Sequence, residues 1–312
     1  MELTLEQIRA CAAGGAVTQE ADGIHFDRFT PTQHAAWENM APRFLDASYT
    51  TTGCQIDFHT DSGSMTLEVA APGKYEVLID GMPRFLFHPQ QPQALHMELD
   101  PGEKRVTVVL PSHRCGVLKG LRLEPCSTLR PHEYAMKMLF LGDSITQGWN
   151  SVRDSMSFSA LVGRYFDAEV LNYGIGGTWF HAETLENVGF VPDMVIIAYG
   201  TNDYKHAASL DALQADCRAY LDRVRDLYGS SRVLCITPIW RADGAQAKNA
   251  GTIRDVRAVI ASEAQVRGFH TVDGLKMVPH TADFYADAYL HPNDLGFSIY
   301  AQNLIREIRK YL

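Results

Sequence analysis

The chain has 312 residues, of which 46% are apolar and 21% are charged, an ordinary globular composition that excludes disordered, coiled-coil and collagen-like proteins. Its 28 Lys and Arg residues against 37 acidic residues give a net charge of −9, so the basic surface needed for nucleic-acid binding is not expected. No segment approaches the roughly 18 consecutive apolar residues of a membrane span, and the N-terminus lacks the apolar core of a secretion signal. We therefore expect a cytoplasmic protein without nucleic-acid or membrane partners.

The six cysteines contain no Cys-x-x-Cys pair and no close Cys/His spacing, which predicts reduced thiols and no metal site. The length itself suggests two domains of about 150 residues each. Two different patterns of apolar residues support that division, with the boundary predicted near residue 130 and a linker at Pro125–Pro131.

Residues 1–130 are predicted to form an all-β sandwich of the jelly-roll type. A short first helix is expected, because Thr4 and Gln7 fit a capping box and Gly14-Gly15 can end it. From Gly53 onward, apolar side chains alternate with the two-residue period of half-buried strands, and turn signals such as Pro72-Gly73 separate the runs. Many short strands at close spacing are typical of a sandwich. The alternating positions are Ile56 and Phe58; Met65, Leu67 and Val69; Tyr75, Val77 and Ile79; Leu95, Met97 and Leu99; Val106 and Val108.

Residues 131–312 are predicted to form a three-layer, doubly wound α/β domain with about five parallel strands. Short, continuous apolar runs alternate with longer amphipathic stretches, as expected for a parallel sheet covered on both faces. The binding site of such a sheet lies outside the carboxyl ends of its strands. Predicted strands are 138–141, 170–171, 194–198, 233–236 and 271–272, and predicted helices cover 157–166, 210–227, 252–266 and the segment from Phe297 to Ile308.

Four polar segments, three of them at predicted strand ends, contain the groups needed for acyl transfer. Ser144 ends Gly-Asp-Ser, Gly177 ends Asn-Tyr-Gly-Ile-Gly-Gly, Asn202 lies in Gly-Thr-Asn-Asp, and His291 lies near the C-terminus. A serine hydroxyl becomes a good nucleophile when an imidazole takes its proton. A backbone N–H and a side-chain amide can both stabilise the oxyanion of a tetrahedral intermediate.

These four segments resemble the conserved blocks of the SGNH (GDSL) hydrolases, a superfamily of serine esterases and acylhydrolases. The resemblance covers most of residues 136–312. It implies that Ser144 is the nucleophile, that His291 is the base, and that Gly177, Asn202 and the backbone N–H of Ser144 form the oxyanion hole. A glycine-rich phosphate site is the weaker interpretation of Gly174-Ile175-Gly176-Gly177, because the spacing is not Gly-x-Gly-x-x-Gly and no Walker lysine follows.

The third member of the triad departs from the family pattern. The usual acid lies three residues before the histidine, where this chain has Ala288. Asp287 lies four residues before it and is the predicted acid if the loop is one residue longer. The alternatives are Asp283, Asp294, or a Ser–His dyad whose ring is oriented by a backbone carbonyl.

Five further residues are predicted to line the substrate site, because each follows a motif segment or a predicted strand at the same edge of the sheet. Three aromatic rings suit the stacking of a sugar, and a phenol and a guanidinium can donate hydrogen bonds to a polar substrate. The predicted tryptophans are Trp149, Trp179 and Trp240, and the predicted donors are Tyr204 and Arg241.

A β-sandwich ahead of the catalytic domain resembles the two-domain carbohydrate esterases that remove acetyl groups from sugars. The chain also lacks the long apolar lid that a lipid substrate needs. We therefore expect a serine esterase that hydrolyses a short acyl ester, predicted to be acetyl, of a small carbohydrate through an acyl-enzyme, with no metal or organic cofactor. The alternatives are a general short-chain ester or thioester hydrolase and a non-catalytic carbohydrate-binding protein with an incomplete triad.

Overall fold

A computed structural model describes all residues, 1–312. The helices are α1 (Leu5–Cys11), α2 (Pro31–Met40), α3 (Arg43–Ser48), α4 (Ser144–Gln147), α5 (Phe158–Phe166), α6 (Asp203–His206), α7 (Leu210–Tyr228), α8 (Ile253–Val266) and α9 (Asp294–Ile308). The strands are β1 (Ala12–Ala13), β2 (Ala16–Gln19), β3 (Ile24–Asp27), β4 (Gln55–Thr60), β5 (Ser64–Val69), β6 (Tyr75–Ile79), β7 (Met82–Phe87), β8 (Gln93–Glu98), β9 (Lys104–Val109), β10 (Leu118–Leu123), β11 (Arg130–Pro131), β12 (Met136–Gly142), β13 (Ala168–Asn172), β14 (Met194–Ala198), β15 (Arg232–Ile236) and β16 (His270–Val272).

The N-terminal strands form two antiparallel sheets that pack face to face, which confirms the predicted sandwich. One sheet has the order β2-β3-β10-β5-β8, and the other has the order β1-β4-β9-β6-β7 with β11 paired to β4. Alternation of side chains determines the register: Ile56 lies opposite Val108 and Phe58 opposite Val106, and all four side chains are fully buried. They belong to a core cluster of 23 buried residues between the sheets.

Helices α2 and α3 differ from the all-β expectation for this half. Thr30 and Gln33 form a capping box at the start of α2, and Pro31 is its first residue, so the sequence does carry a helix signal there. Trp37 of α2 and Phe44 of α3 are buried in the same cluster as Leu139 and other side chains of the C-terminal half. The two halves therefore share a core, and the boundary near residue 130 stays a prediction.

The C-terminal half confirms the doubly wound α/β prediction. Its five parallel strands have the order β13-β12-β14-β15-β16. Helices α7 and α8 cover one face with a cluster that includes Leu139, and α5 and α9 cover the other face with a cluster that includes Phe140. Strand β12 lies between β13 and β14, so the loops after these three strands meet at the switch point where such sheets bind ligands.

All six cysteines are free thiols. No helix has both the length and the apolar character needed to cross a membrane.

Candidate active site

Ser144 lies at the tight turn from β12 into α4. The carboxylate of Asp143 caps this helix by accepting from Ile145 N at 3.0 Å. A glycine is needed at Gly142, because a Cβ there would lie only 2.0 Å from Thr146 Oγ1. The turn places Ser144 at the helix N-terminus with 5% of its surface exposed. A partial positive charge at that end of the helix favours developing negative charge at the site.

Ser144, His291 and Asp287 form a hydrogen-bonded chain. Ser144 Oγ lies 2.9 Å from His291 Nε2, and His291 Nδ1 lies 2.7 Å from Asp287 Oδ2. A carboxylate at Nδ1 keeps the proton on that nitrogen, so Nε2 presents its lone pair to the serine hydroxyl. This is the geometry that general-base activation of a serine requires.

The loop from Asp287 to His291 accommodates the extra residue by a local turn. Asp287 Oδ1 accepts hydrogen bonds from the backbone N–H groups of Tyr289, Leu290 and His291 at 2.9, 2.8 and 3.1 Å. Ala288 takes a left-handed conformation with φ of 56°, which is unusual for a residue with a β-carbon. The turn brings a carboxylate four residues before the histidine into contact with its ring.

Asp287 is held as a carboxylate. Partial burial by itself opposes its ionisation, but the Leu290 N–H, the His291 ring and the N–H groups of Tyr289 and His291 together outweigh burial and lower the pKa of Asp287. The alternative acids lie elsewhere. Asp283 Oδ2 accepts from Thr281 Oγ1 at 3.2 Å, and Asp294 Oδ1 accepts from Val152 N at 2.8 Å.

The predicted oxyanion donors follow the two strands that flank β12. Gly177 follows β13 with φ of 83°, and a Cβ on the adjacent Gly176 would lie 3.7 Å from Ser144 Cβ, so this loop is close to the serine. Asn202 follows β14 and is half-buried, and its Nδ2 donates to Thr178 O at 2.9 Å. An amide nitrogen carries two N–H groups, so one remains for a developing oxyanion.

Residues of the N-terminal half hold the glycine loop in place. The Arg28 side chain is buried, and its Nη1 donates to Asn172 O at 2.6 Å and Gly174 O at 3.1 Å, while its Nε donates to Thr50 O at 2.8 Å. Burial lowers the pKa of Arg28 to about 10. No sequence signal pointed to Arg28, because its acceptors are carbonyls from distant parts of the chain.

Gln147 is a second residue that sequence reasoning missed. Its Oε1 accepts from Gly176 N at 2.8 Å, and its Nε2 donates to Ser112 O in the N-terminal half at 2.9 Å. The amide therefore ties the helix that carries Ser144 to the glycine loop and to the sandwich. Its position three residues after the serine, on the same short helix, is the signal that could have found it.

Two buried carboxyl groups lie beneath the site. Asp143 and Asp203 are almost completely buried. Burial raises the pKa of both groups, and in Asp143 the neighbouring charge of Asp203 raises it further. Asp203 Oδ1 accepts from Phe180 N at 3.1 Å, but its Oδ2 is buried without a hydrogen-bond partner.

The three predicted tryptophans pack against different side chains. Trp149 is 42% exposed and packs edge-on against His113 at 4.8 Å. Trp179 stacks on His206 at 4.7 Å and meets Phe44 edge-on at 5.9 Å. These two rings are contacted by side chains of the sandwich half.

Trp240 packs instead against Tyr285 and His280, at ring separations of 4.9 and 6.4 Å, and belongs to the cluster on the α5/α9 face. The three rings therefore have separate packing partners, and the stacking of a sugar on them stays a prediction. The order of strands determines which loops carry the tryptophans. The side chains packed against each tryptophan determine the orientation of its ring.

Tyr204 and Arg241 have hydrogen-bond partners within the chain, and donation to a substrate stays a prediction. Tyr204 is fully buried, and its hydroxyl donates to the carbonyls of Asp243 and Gln246. Arg241 is 7% exposed; its Nε donates to Asp243 Oδ1 at 2.5 Å and its Nη1 to Thr201 O at 2.7 Å. Arg241 Nη2 also donates to Tyr289 OH at 3.0 Å, so the guanidinium supports the loop that carries Asp287 and His291.

A polar cavity of about 400 Å³ lies between the sandwich and the α5 face of the parallel sheet, and Ser144 does not line it. Its polar groups bond to one another: Arg105 Nη2 and Tyr134 OH donate to Asp57 Oδ2 at 2.6 and 2.7 Å. One cluster of metal-binding residue types, Glu20, Asp22 and His25, lies on the β2–β3 hairpin. Neither feature contains a group of the Ser144 cluster.

A doubly wound α/β sheet with Ser, His and Asp side chains at its carboxyl edge is the arrangement of a serine hydrolase acting on ester bonds. Residues 140–299 match the model of the GDSL-like lipase/acylhydrolase family, which is half of the chain. The chain belongs to this family, which confirms the resemblance found in the motifs. Among the curated proteins, none matches the chain in sequence.

Solved structures resemble the fold over nearly the whole chain. A salicylyl acyltransferase, SsfX3, from a tetracycline biosynthetic pathway is 19% identical, with 96% of this chain and 94% of that chain covered and a TM-score of 0.85. A family two carbohydrate esterase from Cellvibrio japonicus is 16% identical, with 99% and 97% covered and a TM-score of 0.72. An acetyl xylan esterase from the rumen bacterium Butyrivibrio proteoclasticus is 13% identical, with 83% and 90% covered and a TM-score of 0.63. At these identities the likeness establishes the fold.

Proposed function

We propose that the protein is a serine esterase that hydrolyses a short acyl ester, acetyl above all, of a small carbohydrate. The observation that carries the proposal is the chain of hydrogen bonds from Ser144 through His291 to Asp287, at 2.9 and 2.7 Å. A serine aligned with the lone pair of an imidazole, itself fixed by a carboxylate, is built to form an acyl-enzyme.

The reaction has two steps. Ser144 Oγ attacks the acyl carbonyl while His291 Nε2 takes its proton, and the oxyanion is held by the N–H groups of Ser144, Gly177 and the free N–H of Asn202. His291 then returns the proton to the leaving alcohol. A water molecule, activated by the same nitrogen, attacks the acyl-enzyme and releases the acid.

The choice of a carbohydrate rests on two supports. The structures that resemble the whole chain include a family two carbohydrate esterase and an acetyl xylan esterase. The cavity beside Asn202 is lined mainly by polar and charged side chains, with Tyr289 and Leu290 as its apolar members, which suits a hydroxylated substrate better than an acyl tail.

The test is hydrolysis of p-nitrophenyl acetate, butyrate and octanoate by the wild type and by Ser144→Ala. We expect the turnover rate of the wild type to fall steeply from the acetate to the octanoate ester. Turnover of every ester should be abolished in Ser144→Ala, and acetylated monosaccharides should be hydrolysed by the wild type only. Butyrate turnover equal to acetate turnover would favour a general short-chain ester or thioester hydrolase. The wild type could also be folded, hydrolyse none of these esters and resist labelling of Ser144 by a phosphonate. That outcome would favour a non-catalytic carbohydrate-binding protein.

A second candidate is acyl transfer, favoured by the similarity to the salicylyl acyltransferase. The first half-reaction is the same, and an alcohol instead of water then discharges the acyl-enzyme. Adding acceptor alcohols to the p-nitrophenyl acetate assay separates the two outcomes. Transfer gives an acetylated acceptor in place of free acetate, whereas hydrolysis gives acetate at an unchanged ratio to p-nitrophenol.

A further inference from the structure

A cavity of about 340 Å³ adjoins the proposed oxyanion hole. Its lining includes Asn202 together with Tyr289 and Leu290, the two residues before His291. An acetyl group fills only a small part of this volume. If the protein works as proposed above, the cavity therefore receives the part of the ester beyond the acyl group.

Positive charge dominates the lining of this cavity. Lys205, Arg241 and Lys248 line it, and Asp243 is its single carboxylate. The Asp243 carboxylate pairs closely with the Arg241 guanidinium, since Asp243 Oδ1 lies 2.5 Å from Arg241 Nε. Its contact with Lys248 is longer, with 3.8 Å between Asp243 Oδ2 and Lys248 Nζ. The chain carries a net charge of −9, so three cations with a single carboxylate in one cavity are a local reversal of the overall charge.

Lys205 has no acidic partner. Its side chain is exposed on α6, three residues after Asn202, and no carboxylate lies within ion-pair distance of its ammonium group. Lys248 Nζ donates to the neutral amide of Gln246 at 3.0 Å and is 33% exposed. Both lysines therefore keep donors free for a ligand.

Of the neighbouring groups, Arg43 adds positive charge near the cavity, whereas the lowered pKa of His206 favours its neutral form. His206 also lines the cavity and stacks on Trp179. Partial burial and the charges of Lys205 and Arg43 lower the pKa of His206, and no carboxylate opposes them. Arg43 lies over the Phe44 ring at 4.6 Å, on the sandwich side of the same rim.

We propose that this cavity binds an anionic group, a carboxylate or a phosphate, on the alcohol part of the ester, and that Lys205 and Lys248 are the residues that recognise it. The substrate class is then an acylated acidic sugar, such as a uronic acid or a sugar phosphate. This proposal rests on the proposed esterase function. A neutral sugar leaves the Lys205 ammonium group without an acidic partner, whereas an anion forms charge-assisted hydrogen bonds with both Lys205 and Lys248.

The kinetic test compares p-nitrophenyl acetate with 3-carboxy-4-nitrophenyl acetate, which differs from it by one carboxylate. We expect the wild type to have the higher kcat/KM for the carboxylated ester, with a preference that weakens as salt is added. Lys205→Gln is expected to reduce the ratio of the two kcat/KM values by about tenfold, and Lys205→Gln with Lys248→Gln by about 100-fold. Lys119→Gln is the matched control, because Lys119 is exposed in the sandwich and has no acidic partner within ion-pair distance.

A binding test separates failure of this proposal from failure of the esterase function. Calorimetry with glucuronate, glucose 6-phosphate and glucose needs no turnover, and the first two arms distinguish carboxylate from phosphate recognition. The site is supported if either anion binds more tightly than glucose and if Lys205→Gln weakens the binding of that anion. This result would support the site even if no ester is hydrolysed. Equal binding of all three sugars, or equal preference for the two esters in wild type and double variant, overturns the anionic site even if Ser144 is the nucleophile.

Discussion

Asp287→Asn tests how the unusual loop contributes to catalysis. In the wild type, Asp287 Oδ1 accepts three backbone N–H groups and Oδ2 accepts from the His291 ring. The amide oxygen of an asparagine must keep the position of Oδ1, because an NH₂ group there would face three donors. The NH₂ group then faces His291 Nδ1 and donates to it. This arrangement moves the ring proton to Nε2, where it faces Ser144 Oγ and blocks proton abstraction.

The expected loss in kcat is about 10³ to 10⁴, equivalent to roughly 4 to 5 kcal/mol of transition-state stabilisation. KM should change little, because Asp287 does not face the substrate. The assay is steady-state hydrolysis of p-nitrophenyl acetate, with thermal unfolding to show that the loop is retained. Asp283→Asn is the matched control, because Asp283 lies on the same loop and contacts Thr281 rather than the ring. If Asp287→Asn keeps more than about a tenth of wild-type kcat, the tautomer reasoning fails and a dyad accounts for the activity.

Three further predictions concern the residues around this chain. Asn202→Ala should reduce kcat by about 10² to 10³ through loss of one oxyanion donor, and steady-state kinetics showing a change in KM alone would contradict that role. Burial raises the folded-state pKa of Asp203 above its unfolded value, so its stabilising contribution is complete at acidic pH and lost as pH rises through about 7. Thermal unfolding of Asp203→Asn should therefore depend less on pH between about 5 and 8, and a slope equal to that of the wild type would refute the reasoning. Ala288→Gly should stabilise the fold by up to about 1 kcal/mol by removing left-handed strain, and urea denaturation showing destabilisation would count against it.

The general architecture was predictable because it depends on local periodicity. The apolar pattern indicates how many faces of a strand are buried. Apolar residues alternate at Ile56 and Phe58, as in a strand buried on one face, and run continuously through Met194–Ala198, as in a strand buried on both faces. That the candidate catalytic residues share one edge of the sheet was predictable for a related reason. Ser144, Gly177 and Asn202 lie in the loops that follow parallel strands, within five residues of the strand ends, so the topology of the sheet brings them to one edge.

Other features could not be predicted, because they depend on contacts between residues far apart in sequence. Helices α2 and α3 carry the capping signal of Thr30 and Gln33, but only their packing shows that Phe44 reaches Trp179 at the site. Arg28 has three carbonyl acceptors from two separate loops, which no spacing in the chain encodes. The orientation of each tryptophan ring likewise follows from its individual partners in space.

The sequence by itself therefore determined the two-layer and three-layer architecture, the family and the candidate nucleophile, base and oxyanion donors, because these depend on short-range pattern and on strand ends. The tertiary structure decided that Asp287 reaches the His291 ring, since the outcome depended on whether Ala288 adopts a left-handed turn. It also decided that Arg241 supports a loop while Lys205 faces a cavity without a partner. Whether a charged side chain has a partner depends on its distance from groups on other loops. Those distances are determined only when the whole core is packed.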